Sequence, residues 1–302
     1  MATLTRQQLV LLVILTVIWG LNWPVMKLGI TGFPPLAFRC ICMAGGLPLL
    51  ALLLKQQRVP FHVPRKDWAE LLRISFFSMV VWNILIILAL QSLSSGRAAI
   101  LGYTMPIFAA LIGWWLYRQP LTSRTWLGVV AAGLAIVLLL WHEMSALSGK
   151  PLAVLMALAS ALAWAHGTLL MRRTTLTVST LTITFWMIAI TLTIGLPLSY
   201  LLEYERWAWP TPVQWGAIAY NATLVFVFSQ AIWLTLARHL PPMASSLSVM
   251  FIPVIGVFSG ALWLSEVLHW QDWTAVCLIV GSIASALWPA RNARSEEHTS
   301  EL

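Results

Sequence analysis

The sequence predicts an all-α integral membrane protein, with ten transmembrane helices arranged as two inverted five-helix repeats and both termini in the cytoplasm. Three observations predict it. Of 302 residues, 60% are hydrophobic and 9% are charged, where soluble chains average about a quarter charged. The apolar residues fall into ten runs close to the ~20 residues that a ~30 Å hydrocarbon core requires. The two halves of the chain also resemble each other at a nearly constant register.

Taken in order, the spans fall near residues 8–29, 34–54, 69–90, 95–117, 124–141, 152–171, 179–201, 212–236, 242–265 and 271–289. The first run continues past a short apolar core to Trp23 without a small-residue cleavage site, so it reads as a span and not as a signal peptide. Between spans, Lys55 to Asp67 is a charged, proline-containing loop. Arg118 to Arg124 contains Pro120, Gly149-Lys150-Pro151 is a turn, and Arg172-Arg173 ends the sixth span. Glu203 to Pro212 is charged and aromatic, as suits a loop at the membrane surface. The expected domains are a first repeat over 1–148, a second, inverted repeat over 149–290, and a disordered tail over 291–302.

Orientation follows from the basic residues. With the N-terminus inside, the inner segments hold Arg6, Lys55, Arg58, Arg65, Lys66, Arg73, Arg118, Arg124, Arg172, Arg173, Arg238, Arg291 and Arg294. The outer side holds only Lys27, Arg39, Arg97, Lys150 and Arg206. That bias places both termini in the cytoplasm, which fits an even number of spans. The net charge of +8 therefore reports topology and does not argue for a nucleic-acid partner. Cys40, Cys42 and Cys277 lie inside apolar runs, where they read as packing thiols and not as a disulfide framework or a zinc site.

The repeat is the most informative feature. Residues 98–128 (AAILGYTMPIFAALIGWWLYRQPLTSRTWLG) align with 245–275 (SSLSVMFIPVIGVFSGALWLSEVLHWQDWTA) at an offset of 147. Pro106 then meets Pro253, Gly113 meets Gly260, Leu121 meets Leu268 and Trp126 meets Trp273. WGLNWPVMK at 19–27 has an echo in WAHGTLLMR at 164–172, near an offset of 145. Five spans per repeat is odd, so the second half enters the membrane inverted. Inverted repeats are a secondary-transporter architecture, with the substrate site at their interface near the midplane.

Polar groups inside spans face protein or water. Asn22 reads either as a substrate-lining amide or as a cross-link answering the carbonyl that Pro24 frees. Pro24, Pro106 and Pro253 read as kinks, either static or used in gating. Asn83 and Gln230 share a register, and symmetric amides suit a polar cavity wall or interhelical bonding. His166 reads as a substrate contact, a proton carrier or a satisfied packing residue. Tyr103, Thr104, Ser245, Ser246 and Ser248 add hydroxyls. Trp19, Trp23, Trp82, Trp164, Trp186 and Trp233 lie deep in their spans, where aromatic faces attract an ammonium group or simply pack. Trp68, Trp141, Trp207, Trp209, Trp215, Trp270, Trp273 and Trp288 lie near span ends as interfacial anchors. Gly256 and Gly260, like Ala109 and Gly113, form small-xxx-small patterns for close helix packing.

Trp19-Gly20-Leu21-Asn22-Trp23 with Lys27 resembles the first-helix signature of the drug/metabolite transporter superfamily, EamA type. Arg39 matches a position where that family favours arginine. Pro106 with its small-residue helix, and Pro253 through Gly260 to Glu266, match the family's fourth and ninth helices. Gln119 departs from the pattern, standing where Glu266 stands in the second half. The resemblance covers residues 8–289. It implies two five-helix bundles around a central cavity lined by spans 1, 3, 4, 6, 8 and 9. It also implies export of amino acids and related metabolites; the tryptophan-rich helices look most like the aromatic and neutral amino-acid exporters.

The expected function is therefore secondary export of neutral or aromatic amino acids and similar metabolites across a bacterial inner membrane by alternating access. The expected partners are that substrate and the bilayer, with the chain acting as a monomer or homodimer. No acidic residue lies at mid-span, and no phosphate-binding loop, zinc motif or catalytic triad is present in the sequence, so no enzyme activity, cofactor or metal is expected. One alternative is a carrier of anionic metabolites using Arg39, Arg97 or Lys27, disfavoured by the position of both arginines near outer span ends. The other is a membrane-embedded enzyme or scaffold.

Overall fold

The computed structural model describes residues 6–145, 150–230, 232 and 242–287, with only the backbone described for 140, 142–145, 242–250 and 285–287. Among the described residues all regular structure is helical. Lipid leaves a backbone polar group no solvent partner, and a helix satisfies its own ladder. Among the described residues six helical stretches are long and apolar enough to cross a membrane: Arg6–Ile30, Pro35–Gln56, Arg65–Ser92, Ser95–Tyr117, Pro151–Arg172 and Thr180–Arg206. They match six of the ten expected spans. Ser123–Leu139 and Phe251–Leu264 are the fully described apolar parts of two further helices. The tail at 291–302 lies outside the described residues.

Helix α1 (Arg6–Ile30) runs on through Pro24. Gly32, at φ 69°, turns the chain into α2 (Pro35–Gln56), where proline opens the first turn and its missing N–H costs nothing. The third span is not one regular helix. It is α3 (Trp68–Ser75), a π-helical segment (Phe76–Val81) and α4 (Trp82–Ser92). The fourth is α5 (Ser95–Gly102) and α6 (Met105–Tyr117), interrupted at Tyr103 and Thr104, just before Pro106. Then come α7 (Ser123–Ser145), α8 (Pro151–Arg172) and α9 (Thr180–Glu203). Helix α10 (Pro212–Tyr220), opened by a Thr211/Gln214 capping box, passes into a second π-helical segment (Asn221–Ser229). Last are α11 (Pro242–Leu264), continuous through Pro253, and α12 (Trp270–Leu287). Pro106 and Pro253 thus stand differently: the first begins a helix after a break, and the second lies inside one.

The principal pairings are α7 with α12, α1 with α11, α2 with α9, and α4 and the first π segment with α8. A Cβ on Gly256 would stand 2.9 Å from the Ala99 methyl, so this small residue lets α5 and α11 touch within the chain. Trp115, Leu127, Trp141, Leu201 and Leu262 point outward, as lipid permits.

Helix ends are closed by side chains from distant spans. Buried Glu203, at the end of α9, accepts from the N–H groups of Leu36 (3.1 Å) and Ala37 (2.9 Å) and from the Ser199 hydroxyl (3.2 Å). Glu266 accepts from the Ser95 N–H (2.7 Å), the Ser95 hydroxyl (2.9 Å) and the Gly96 N–H (3.3 Å). Each carboxylate sits where a helix N-terminus is positive. Lys27 donates to the Leu90, Gln91 and Leu93 carbonyls at 2.7, 3.3 and 2.7 Å, closing the C-terminus of α4. At the opposite end of these helices, Glu70 accepts from the hydroxyls of Thr174 (2.7 Å) and Thr175 (2.8 Å).

Replacing Glu203 with Ala should cost about 2–3 kcal/mol of stability, because two buried N–H groups lose their acceptor. Gln keeps one acceptor oxygen and should cost clearly less. Thermal unfolding of the purified protein in detergent measures both.

Candidate functional site

The deep aromatic residues converge from four elements. Trp23 of α1 is buried, and its ring meets Tyr103 edge-on with centroids 6.3 Å apart. Trp82 of α4 meets Trp164 of α8 at 5.2 Å, tilted by 58°. Gly102 joins the two pairs: a Cβ there would lie 2.8 Å from the Trp23 ring and 3.4 Å from that of Trp82. The absence of a side chain at 102 is what admits both indoles. Trp23 also lies against Gly256 of α11. Trp19, partly buried, packs against the same core.

Asn22 lies in this α1 segment at 8% exposure, and its Oδ1 meets no hydrogen-bond donor. Eight residues from the end of α1 place it about 12 Å along the axis, within reach of the bilayer centre. A buried amide oxygen without a partner costs on the order of 1–3 kcal/mol, so it calls for a ligand or a change of state.

The other expected residues divide. Asn83 is buried, but its Nδ2 donates to the Met79 carbonyl (2.7 Å) in the preceding π segment. It serves the junction where the π segment ends. Gln230 is half-buried at the end of the second π segment. His166, two residues after Trp164 on α8, packs edge-on against Phe77 at 4.6 Å. Trp186 donates to the Phe61 carbonyl at 2.8 Å and packs on Trp68, so it belongs to a span end and not to the deep set. Pro24 is buried in α1 beside Asn22. The side chains of Ser245, Ser246 and Ser248, and Trp233 entirely, lie outside the described residues.

The two arginines separate sharply. Arg97 pairs with Asp272 at 2.7 Å and is neutralised. Arg39 is buried at 6% exposure. Its guanidinium reaches inward to Asn221 Oδ1 (3.2 Å) and Met26 Sδ (2.9 Å), over the Phe226 ring at 5.8 Å. Its sequence position near a span end hid that reach. Asn221, which the sequence reading passed over, carries the same signal as Asn22: an amide inside an apolar run. Among the described residues no group of three His, Cys, Asp or Glu side chains is placed to hold a metal ion.

The profile of the EamA-like transporter family matches the chain twice, over residues 7–141 and 151–288. The uncharacterized transporter YoaV of Bacillus subtilis is 25% identical over 83% of this chain and 86% of its own. YvbV of the same organism is 26% identical over 90% and 89%. The uncharacterized inner membrane transporter YedA of Escherichia coli K12 is 26% identical over 89% and 87%. A solved crystal structure superposes with a TM-score of 0.67 at 18% identity, covering 95% of this chain and 100% of that one, which is a likeness of fold.

Gly102→Val should force the Trp23 and Trp82 rings apart and cost about 1–3 kcal/mol by overpacking. Gly133→Ala, mid-helix in α7 where a Cβ would meet open space, should leave stability unchanged or raise it by up to about 1 kcal/mol. Parallel thermal unfolding of the two variants checks the contrast.

Proposed function

The chain belongs to the EamA-like transporter family and is a membrane transporter; from that premise we propose that it exports neutral and aromatic amino acids and related small metabolites across the bacterial inner membrane by alternating access. The observation that carries the reading is the buried Asn22 amide, its oxygen unpartnered, next along α1 to Trp23 of the ring set Trp23, Tyr103, Trp82 and Trp164. An unpartnered acceptor suits an ammonium group. Aromatic faces attract the same cation and stack on an apolar side chain.

Several features support two inverted five-helix repeats as the frame. The two family matches divide the chain near 149. The π segments begin 145 residues apart and end 148 apart, and such segments cluster at functional sites. The pairings also survive exchange of the halves. Exchanging α1 with α8 and α5–α6 with α11 turns the α1–α11 contact into those of α5 and α6 with α8. The α4–α8 contact becomes α1–α10, while α2–α9 and α7–α12 map onto themselves. One bundle then rocks against the other about the aromatic set, and the π segments are the compliant points in spans 3 and 8. The buried carboxylates Asp67, Glu203 and Asp272 are hydrogen-bonded near helix ends, so the reading assigns them to structure and not to proton exchange. The working unit is a monomer or homodimer with both termini in the cytoplasm.

Proteoliposomes loaded with labelled tryptophan, phenylalanine or leucine should show protein-dependent efflux, and Asn22→Leu should lower it about tenfold or more while leaving thermal stability at or above wild type. Efflux of none of these amino acids would end the substrate assignment. A single cysteine at exposed Trp209 should react with an impermeant maleimide in intact cells, whereas one at Arg58 should react only after permeabilisation.

A further inference from the structure

Arg39 is a buried cation. Among the described residues no carboxylate lies within ion-pair distance of it, while Arg97 has Asp272 and Lys27 has three helix-end carbonyls. Two of its nitrogens find acceptors, an amide oxygen and a thioether sulfur, and the sulfur is a weak one. Its Nε finds none. A guanidinium held in an apolar bundle on such terms is poorly compensated.

Its surroundings are organised. Four buried side-chain atoms among the described residues meet no hydrogen-bond partner, and two of them come from the two helices that join at Met26: Asn22 Oδ1 on α1 and Arg39 Nε on α2. Asn22 stands one helical turn from Met26, the residue that touches Arg39, so both side chains lie on one face of α1. That face meets α10, where the Tyr220 hydroxyl donates to the Ile18 carbonyl at 2.7 Å. The orphaned donor and the orphaned acceptor thus share one neighbour: Met26 touches the Arg39 guanidinium and stands one turn from Asn22 on the same face of α1.

We infer that Arg39, steadied by Asn221 and Met26, is the carboxylate-binding subsite of the transport site, with Asn22 taking the ammonium end of an α-amino acid. The inference rests on the proposed amino-acid function and deepens it. A carboxylate presents two oxygens to the planar fork of a guanidinium, and Nε supplies the free edge. The adjacent ammonium reaches Asn22 Oδ1 across one turn. The side chain then points toward Trp23 and Trp82.

The test uses the full chain in detergent and competition against tritiated L-tryptophan. Tryptamine lacks the carboxylate and indole-3-propionate lacks the amine. In wild type, tryptamine should compete about tenfold or more weakly than unlabelled tryptophan, in line with the loss of a hydrogen bond to a charged group. Arg39→Gln should bring that ratio close to one, and Arg39→Lys should keep part of it. A residue that merely holds helices together would lower stability and leave the ratio unchanged, which overturns the inference. Equal competition by tryptophan and tryptamine in wild type overturns it without any variant. If tryptophan does not bind, thermal unfolding with indole-3-propionate separates the two claims: stabilisation lost in Arg39→Gln sustains the carboxylate subsite while the amino-acid function falls, and no stabilisation ends both. Stabilisation by sodium chloride alone at the same concentration, competing with the acid, assigns the site to an inorganic anion and overturns the inference.

Discussion

In a bilayer a buried polar group has no partner except protein, and the rest of the structure follows from that. Each helix leaves free N–H groups at one end and free carbonyls at the other. Here those ends are closed by side chains from far along the chain. Glu203 closes α2, Glu266 closes α5 and Lys27 closes α4. The contacts tie spans together at their ends and leave the middle of the bundle to apolar packing. Against that background the few mid-span polar atoms without partners stand out, and the functional reading is built on them.

Much of the architecture was legible in the residues. Apolar runs, basic loops and proline-bearing breaks located the six long helical stretches to within a few residues, because hydropathy reports burial in lipid directly. The deep tryptophans at 23, 82 and 164 were picked out by their distance from span ends. What escaped is what local pattern does not encode. A π segment differs from an α-helix by one residue per turn, and neither Phe76–Val81 nor Asn221–Ser229 carries a proline or glycine to announce it. The Glu203 cap joins residues 166 and 167 apart, beyond any sequence window. Arg39 was judged by its Cα position, whereas a long side chain can place its charge a turn or more away. Trp186 read as deep, yet it bonds a loop carbonyl at Phe61.

The elements also explain why a helix should carry IWGLNWPVMK. Gly20 lets Ile255 of α11 approach. Trp23 fills the space that Gly102 and Gly256 leave. Met26 reaches Arg39, and Lys27 caps α4. Each has a structural partner except the Asn22 oxygen, and in the proposed function the substrate supplies it. The same stretch therefore joins close helix contacts to a buried amide oxygen that has no partner.

In the proposed function a neutral or aromatic amino acid is held between Asn22 and the aromatic set of Trp23, Tyr103, Trp82 and Trp164. A structure determined by cryo-electron microscopy with tryptophan at saturating concentration tests it most directly. The account predicts ligand density within hydrogen-bond distance of Asn22 Oδ1 and stacked on at least one of those rings. Density elsewhere in the bundle, with Asn22 still unpartnered, would contradict it.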